Sequence, residues 1–199
     1  MATDRKLEIL DATCRVIARE GADGLRMGTV AREAGVSSAL LHYYFDTRAD
    51  LLMQAFDHAD IKADEAAEAA LAGIPRAIDR LERLLLIYAG ADAVFRDDWV
   101  LWVEMWRSAI FDERLAESVR RSSDGWMEQI TGLIDEARAE GSLGRELDVQ
   151  ASARRLAAVV DGLGLQILSG VLTHERAFDL IRGALELELG VSITARSSA

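Results

Sequence analysis

A single proline, Pro75, interrupts a chain of 199 residues in which runs of β-branched residues are scarce, and this pattern restricts the fold more than any other feature. Apolar residues recur at the spacing of amphipathic helices almost throughout, and the two-residue alternation of a half-buried strand is nearly missing. The expected class is all-α. Caps and breakers divide the chain into about nine helices, at about 4–20, 27–34, 38–44, 48–72, 76–92, 97–110, 113–140, 148–169 and 174–189. Gly21 and Gly24 end the first helix, Gly35 the second, and Gly73 with Pro75 the fourth, while Asp148 and Thr173 read as N-caps. Gly125, beside Asp124, is the point at which the helix over 113–140 is open to splitting. The small, polar tail 192–199 is expected to fray.

Half of the residues are hydrophobic and 29% are charged, a balance that supplies enough apolar surface to offset the entropy of ordering and excludes a disordered chain. The longest apolar runs, such as Leu84 to Ala89, fall far short of the ~18 to 20 residues of a membrane span. The N-terminus carries charge and then an amphipathic pattern in place of a signal peptide's apolar block, so the expected location is the cytoplasm, with no membrane partner. One cysteine, Cys14, permits no internal disulfide and no cysteine-built metal site. The 34 acidic against 23 basic side chains give a net charge of −11. Residues 1–45 hold six of each sign, so the whole deficit falls on 46–199. Only the N-terminal segment can approach a polyanion without repelling it. Having no basic patch, it is excluded from coating nucleic acid through many phosphate contacts.

The densest motif runs from Val30 to Ser37 as Val-Ala-Arg-Glu-Ala-Gly-Val-Ser and continues as Ser38-Ala-Leu-Leu-His-Tyr-Tyr-Phe45. It reads as helix, tight turn, helix: Ala31 allows close approach, Gly35 supplies a left-handed residue, Val36 points inward and Ser37 caps the next helix. At about 100° per residue, Ser38, Ala39, His42 and Tyr43 share one arc, with Leu40, Leu41 and Tyr44 opposite. The first arc can reach base edges or phosphates when the helix lies in a major groove. An amphipathic first helix, with Leu7, Leu10, Cys14 and Ile17 on one face, and a cap at Asp46 or Thr47 complete a headpiece. A packing unit without a DNA role is the competing explanation.

These residues, from Ile9-Leu10-Asp11-Ala12 through Leu41-His42-Tyr43-Tyr44-Phe45 to Arg48 with Leu51-Leu52, resemble the TetR family of transcriptional regulators. The resemblance implies a homodimeric, ligand-responsive DNA-binding protein, usually a repressor, with a DNA-binding domain at 1–47 and a ligand-binding and dimerisation domain at 48–199, joined by the helix 48–72. It implies contacts to double-stranded operator DNA from Arg26, Thr29, Ser37, Ser38, Ala39, His42, Tyr43, Tyr44, Thr47 and Arg48. Arg26 stands where the family often has threonine, His42 where it often has tyrosine, and Arg48 where it often has lysine; Arg48 keeps the charge for a phosphate contact. Trp99 to Ile110, with Val159 to Gln166, is similar to the choline-responsive, BetI-like branch.

Trp99, Trp102 and Trp106 fall within about 60° of one another on a helical wheel. Val103 and Ile110 share that stripe, Phe95 and Phe111 flank it, and Trp126 can join from the next helix. Such a stripe is either ordinary core or the wall of a ligand pocket. On the pocket reading, Phe95, Trp99, Trp102, Val103, Glu104, Trp106 and Trp126 contact a small-molecule effector. The acidic neighbours Asp97, Asp98 and Glu104 favour a cation, attracted also by indole faces; an aromatic or lipophilic effector is the alternative. The helix from Leu156 to Leu168 is apolar nearly all round, and Phe178 to Leu189 carries two apolar stripes. Leu156, Val160, Leu163, Gly164, Ile167, Phe178, Ile181 and Leu185 are therefore expected at an isologous dimer contact. A two-fold dimer would space its recognition helices ~34 to 36 Å apart, on a palindromic operator.

No catalytic residue emerges, and no cofactor or metal is called for. A di-iron bundle needs Glu-x-x-His pairs, yet Ala39, Ala55 and Val171 stand three before His42, His58 and His174. Gly162-Leu-Gly164 lacks the preceding strand and third glycine of a dinucleotide loop. Cys14 is expected to pack inward. Asp57, His58 and Asp60 are expected to form a solvated face. A helical small-molecule carrier or sensor without DNA binding is the remaining alternative, disfavoured by the hydroxyl-rich helix after the turn.

Overall fold

The computed structural model describes residues 2–90, 96–144 and 146–192. Among them run α1 (Ala2–Glu20), α2 (Met27–Glu33), α3 (Ser38–Tyr44), α4 (Arg48–Leu71), α5 (Ala77–Tyr88), α6 (Arg96–Ala109), α7 (Glu113–Ala139), α8 (Val149–Leu168) and α9 (His174–Leu189), with a 3₁₀ turn at Ala22–Gly24. No strand occurs among the described residues, and none of their helices is long and apolar enough to cross a membrane. The all-α class holds. Gly125 does not break α7, because Trp126, Met127, Ile130, Leu133, Ile134 and Ala137 bury one continuous side of it, outweighing the ~1 kcal/mol penalty of a mid-helix glycine.

The helix ends follow local hydrogen bonding. The Ser37 hydroxyl accepts from the Leu40 amide at 3.1 Å, Thr47 from Asp50 at 3.0 Å, Asp148 from Ala151 at 3.1 Å and Thr173 from Arg176 at 3.3 Å. Each satisfies an amide of the first turn, which has no partner within the helix. At the end of α2, Gly35 takes φ +64°. The Val36 amide donates to the Ala31 carbonyl at 2.9 Å and the Gly35 amide to Arg32 at 3.2 Å, the paired bonds that close a helix through a left-handed residue.

The chain forms two compact units. The first holds the described residues through Ala66 and those from 96 to Ser123; the second holds the described residues from Ala67 and from Asp124 onward. In the first, Ile9, Leu10, Val16, Ile17, Leu25, Val30, Leu41, Phe45, Leu51, Leu52, Phe56, Leu101 and Met105 form one core. The second core joins α5, α8, α9 and the C-terminal part of α7 through Leu81, Leu84, Leu85, Ile130, Ile134, Leu156, Val160, Ile181 and Leu185. The apolar face of α1 is wider than expected. Leu10 and Ile17 are buried on it as expected, joined by Ile9, Ala12, Thr13 and Val16, while Cys14 is half-buried and Leu7 is 41% exposed, because α1 packs against both α2 and α6.

Candidate DNA-binding and effector sites

The two arcs of α3 separate as its periodicity requires. Leu41 is fully buried and Tyr43 is 80% exposed; Ser37, Ser38, Ala39 and His42 are exposed, and Leu40 and Tyr44 half-buried. On α2 and its flank Arg26 is exposed and Thr29 half-buried, and Thr47 is exposed at the head of α4. Arg48 has a different occupation from the phosphate contact implied by resemblance. Its Nε donates to the Leu25 carbonyl at 2.9 Å and its Nη2 to the Ala22 carbonyl, so the guanidinium bolts α4 to the 3₁₀ turn. Arg15 and Arg19 pair with Glu33, and Arg5 with Glu8. Arg32, one turn beyond Thr29, is exposed and was absent from the expected contacts; its i,i+3 spacing from Thr29 was the available signal.

Helix α6 lies in the same compact unit as the headpiece. Trp99 and Trp106 meet edge to face at 6.0 Å between ring centroids, Trp102 and Trp106 at 6.2 Å, and Phe56 of α4 meets Trp102 at 5.4 Å. The three indoles are brought together, with Trp99 only 9% exposed and Trp102, Val103 and Trp106 half-buried. Trp126 does not join them in this unit: it stacks on Tyr88 at 4.3 Å in the second unit. Phe95 lies outside the described residues. Ile110 and Phe111 turn to solvent, 75% and 83% exposed, because α6 ends at Ala109 and the wheel no longer applies. Glu104 faces the headpiece: its Oε1 lies 3.1 Å from where a Cβ on Gly21 would stand, and its Oε2 accepts from Arg107 Nε at 3.0 Å. Arg107 also reaches Asp23 at 3.6 Å.

The Asp57, His58 and Asp60 segment is not a solvated face. It forms polar seams on two sides of α4. The Ser118 hydroxyl donates to Asp57, whose other oxygen lies 3.6 Å from the Arg121 guanidinium. Ser122 donates to Asp60 at 2.9 Å. Ser118 and Ser122 are 1% and 8% exposed, two hydroxyls one turn apart on α7 facing two carboxylates on α4. His58 and Lys62 each lie 2.9 Å from the Asp11 carboxylate of α1. Burial opposes the charge on Asp11, but hydrogen bonds from Lys62 and His58 outweigh it and hold its pKa below the usual range. Asp60 goes the other way: burial pushes it up to about 6, Ser122 opposing and the like charges of Asp64 and Asp57 adding to the rise. A separate pocket of 290 Å³ opens at the start of α4, lined by Asp46, Thr47, Ala49, Asp50, Met53, Arg114 and Leu115; no tryptophan borders it.

On α8 and α9 the structure divides the eight residues expected at a dimer contact. Leu156, Val160, Ile181 and Leu185 are at most 2% exposed and belong to the second unit's own core; Gly164 is buried too. Leu163, Ile167 and Phe178 are half-buried. The apolar side chains left open are Leu165 (47%), Leu180 (39%) and Leu187 (87%), flanked by exposed Ala158, Gly162 and Gly183.

An exposed recognition helix after a tight turn, carried on an all-helical body with an aromatic stripe, defines a one-component DNA-binding regulator. Residues 9–55 match the model of bacterial regulatory proteins of the tetR family, and 77–190 that of the BetI-type transcriptional repressor C-terminal region. The chain belongs to the TetR family and is a helix-turn-helix transcriptional regulator with a BetI-type C-terminal region. The BetI regulator of Agrobacterium fabrum is 30% identical over 80% of this chain and 74% of its own. A TetR-family regulator from a Rhodococcus species superposes with a TM-score of 0.84 at 32% identity, covering 94% of this chain and 99% of that one. A regulator from Saccharomonospora viridis, crystallised with choline, has a TM-score of 0.83 at 27% identity, covering 94% and 98%.

Proposed function

We propose that the chain is a cytoplasmic repressor, without a catalytic step, that holds a palindromic operator as a homodimer and releases it when a quaternary ammonium compound of the choline class occupies the α6 stripe. The observation that carries the effector is the edge-to-face cluster of Trp99, Trp102 and Trp106 with Phe56, since an alkylammonium against indole faces gains ~0.5 to 2 kcal/mol. The choline complex of the 27% identical relative supports the same chemistry. Residues 1–47 act as the DNA-binding domain and 48–199 as the sensor and dimerisation domain, with 48–72 connecting them. Ser38, His42 and Tyr43 read the major groove, and Arg26 and Arg32 meet phosphates. Coupling runs along α4 and through the foot of α6, where Glu104 and Arg107 touch Gly21 and Asp23. Only unequal effector affinity for the two headpiece states can drive release.

Selection of duplexes from random DNA tests this reading. An inverted repeat with half-sites about one helical turn apart is expected, choline should release the selected duplex, and His42→Ala should weaken its binding by about tenfold. Folded protein that enriches no repeat, or a duplex that choline leaves bound, refutes it.

A further inference from the structure

The acidic groups of the first unit have unequal company. Asp57 has the Ser118 hydroxyl and the Arg121 guanidinium, and Asp11 has His58 and Lys62. Asp60 receives a neutral donor, the Ser122 hydroxyl at 2.9 Å, and its charged neighbours on α4, Asp57 and Asp64, repel it. A carboxylate taken partly out of water beside a hydroxyl and two like charges is costly to ionise. An approaching cation would remove that cost.

The surroundings specify the cation. Phe56, one turn before Asp60 on the same side of α4, meets Trp102 edge to face at 5.4 Å. Arg48 reaches the 3₁₀ turn from the start of α4, and Glu104 and Arg107 reach Gly21 and Asp23 from the end of α6. The two helices therefore run in opposite senses. Trp99, one turn before Trp102, falls on the Asp60 side. By this spacing the indoles of α6 and the Asp60 carboxylate, which has no cationic partner among the described residues, fall at one level of the first unit, the pairing that a cation with an apolar coat requires.

We infer that Asp60 is the anionic anchor of the effector site and selects an ammonium effector over a neutral molecule of the same shape. This rests on reading the α6 stripe as the effector site. Where Asp60 holds its proton, capture of the cation ionises the carboxyl: the O–H bond breaks, the proton passes to solvent, and the carboxylate pairs with the ammonium. Affinity for the cation therefore falls as pH drops through about 6. The other groups facing this seam are Ser118, Arg121 and Ser122 from α7 and Asp57 and Asp64 on α4 itself; Asp11, His58 and Lys62 form the separate seam between α1 and α4.

The experiment titrates the tryptophan emission of the full chain with choline and with 3,3-dimethylbutan-1-ol, its neutral carbon isostere, at about pH 5 and about pH 7.5. Wild type should prefer choline by about tenfold at the higher pH and lose most of that preference at the lower. Asp60→Asn, which keeps the shape and a partner for Ser122, should bind both compounds within about twofold at either pH, and Asp60→Glu should restore the preference. Circular dichroism establishes that each variant is folded. An Asp60→Asn protein that still prefers choline about tenfold, or a wild type that binds both compounds equally at the higher pH, overturns the anchor. If choline frees operator from wild type and Asp60→Asn alike, the anchor falls and the proposed effector stands. If choline neither shifts emission nor frees operator from wild type, the effector reading falls and takes the anchor with it.

Discussion

Replacing Arg48 by methionine separates two roles that its position alone confuses. In the structure the guanidinium spans the Leu25 and Ala22 carbonyls, fastening the 3₁₀ turn to α4. Hydrogen bonds from a charged donor contribute about 1.5 to 3 kcal/mol each when buried. Arg48 is exposed and water can replace part of what is lost, so about 2 kcal/mol for the pair is the appropriate scale. Removing a cation from the first turn of α4 returns about 0.5 kcal/mol, because the helix dipole disfavours positive charge there. The net cost of about 1.5 kcal/mol lowers Tm by about 3 to 6 °C in a chain of this length. Arg48→Lys, which can reach one carbonyl, should lose about half of that. The assay is thermal unfolding at fixed protein concentration, since dimerisation makes Tm concentration-dependent, beside operator affinity measured against salt. A guanidinium engaged with carbonyls predicts an unaltered salt slope for the methionine variant. An unchanged Tm with a slope lower by about 1.8 per dimer, the loss of one phosphate contact per headpiece, would refute the bolt and restore Arg48 as a phosphate ligand.

Burial raises the Asp161 carboxyl on α8 to about 6, with Arg154 opposing the rise. Its folded pKa thus exceeds the unfolded value of about 3.9, so the stability it lends is complete below about pH 4 and is lost as pH rises through about 6. Asp161→Asn should therefore stabilise the chain by about 1 to 2 kcal/mol at neutral pH and by nothing at about pH 4, measured by urea unfolding at both; equal gains at both would contradict the burial argument. On the same helix, Leu156→Ala should cost about 2 to 5 kcal/mol of folding stability, since Leu156 is 2% exposed. Leu165→Glu, at 47% exposure, should leave folding intact and weaken self-association in sedimentation equilibrium. The opposite ranking would place the partner against the Leu156 face.

Helix limits were legible because their causes are local. Ser37, Asp148 and Thr173 cap through side chains that reach only three residues onward, and Gly35 ends α2 through bonds closed within five residues. The two faces of α3 were equally legible, since one short helix with one neighbouring core leaves little choice. What periodicity leaves open is the number of neighbours. On α8 and α9 it marked the residues packed on the chain's own core, Leu156, Val160, Ile181 and Leu185, as readily as residues facing outward. An apolar stripe of either kind has the same spacing. Only burial shows which one is already occupied.

The candidate effector site was half legible for a related reason. Tryptophans are rare enough that Trp99, Trp102 and Trp106 announce themselves, whereas Asp60 is one of 34 acidic residues and a charged helix face is ordinarily wet. Its significance depends on Ser122, on a helix about sixty residues later, a complementarity that no window of local sequence contains. The compact units carry the same lesson for regulation. Division by sequence assigned α6 to the sensor and α1 to α3 to the headpiece, yet they share one core in which Leu101 and Met105 pack with Ile9, Leu25 and Leu41. A change in α6 therefore need not travel the length of α4 to reach the DNA-reading elements: it displaces side chains already in the headpiece's core. Packing at native density transmits such shifts instead of absorbing them, so an effector held at the α6 stripe, as proposed, would act on the recognition helix through shared core contacts.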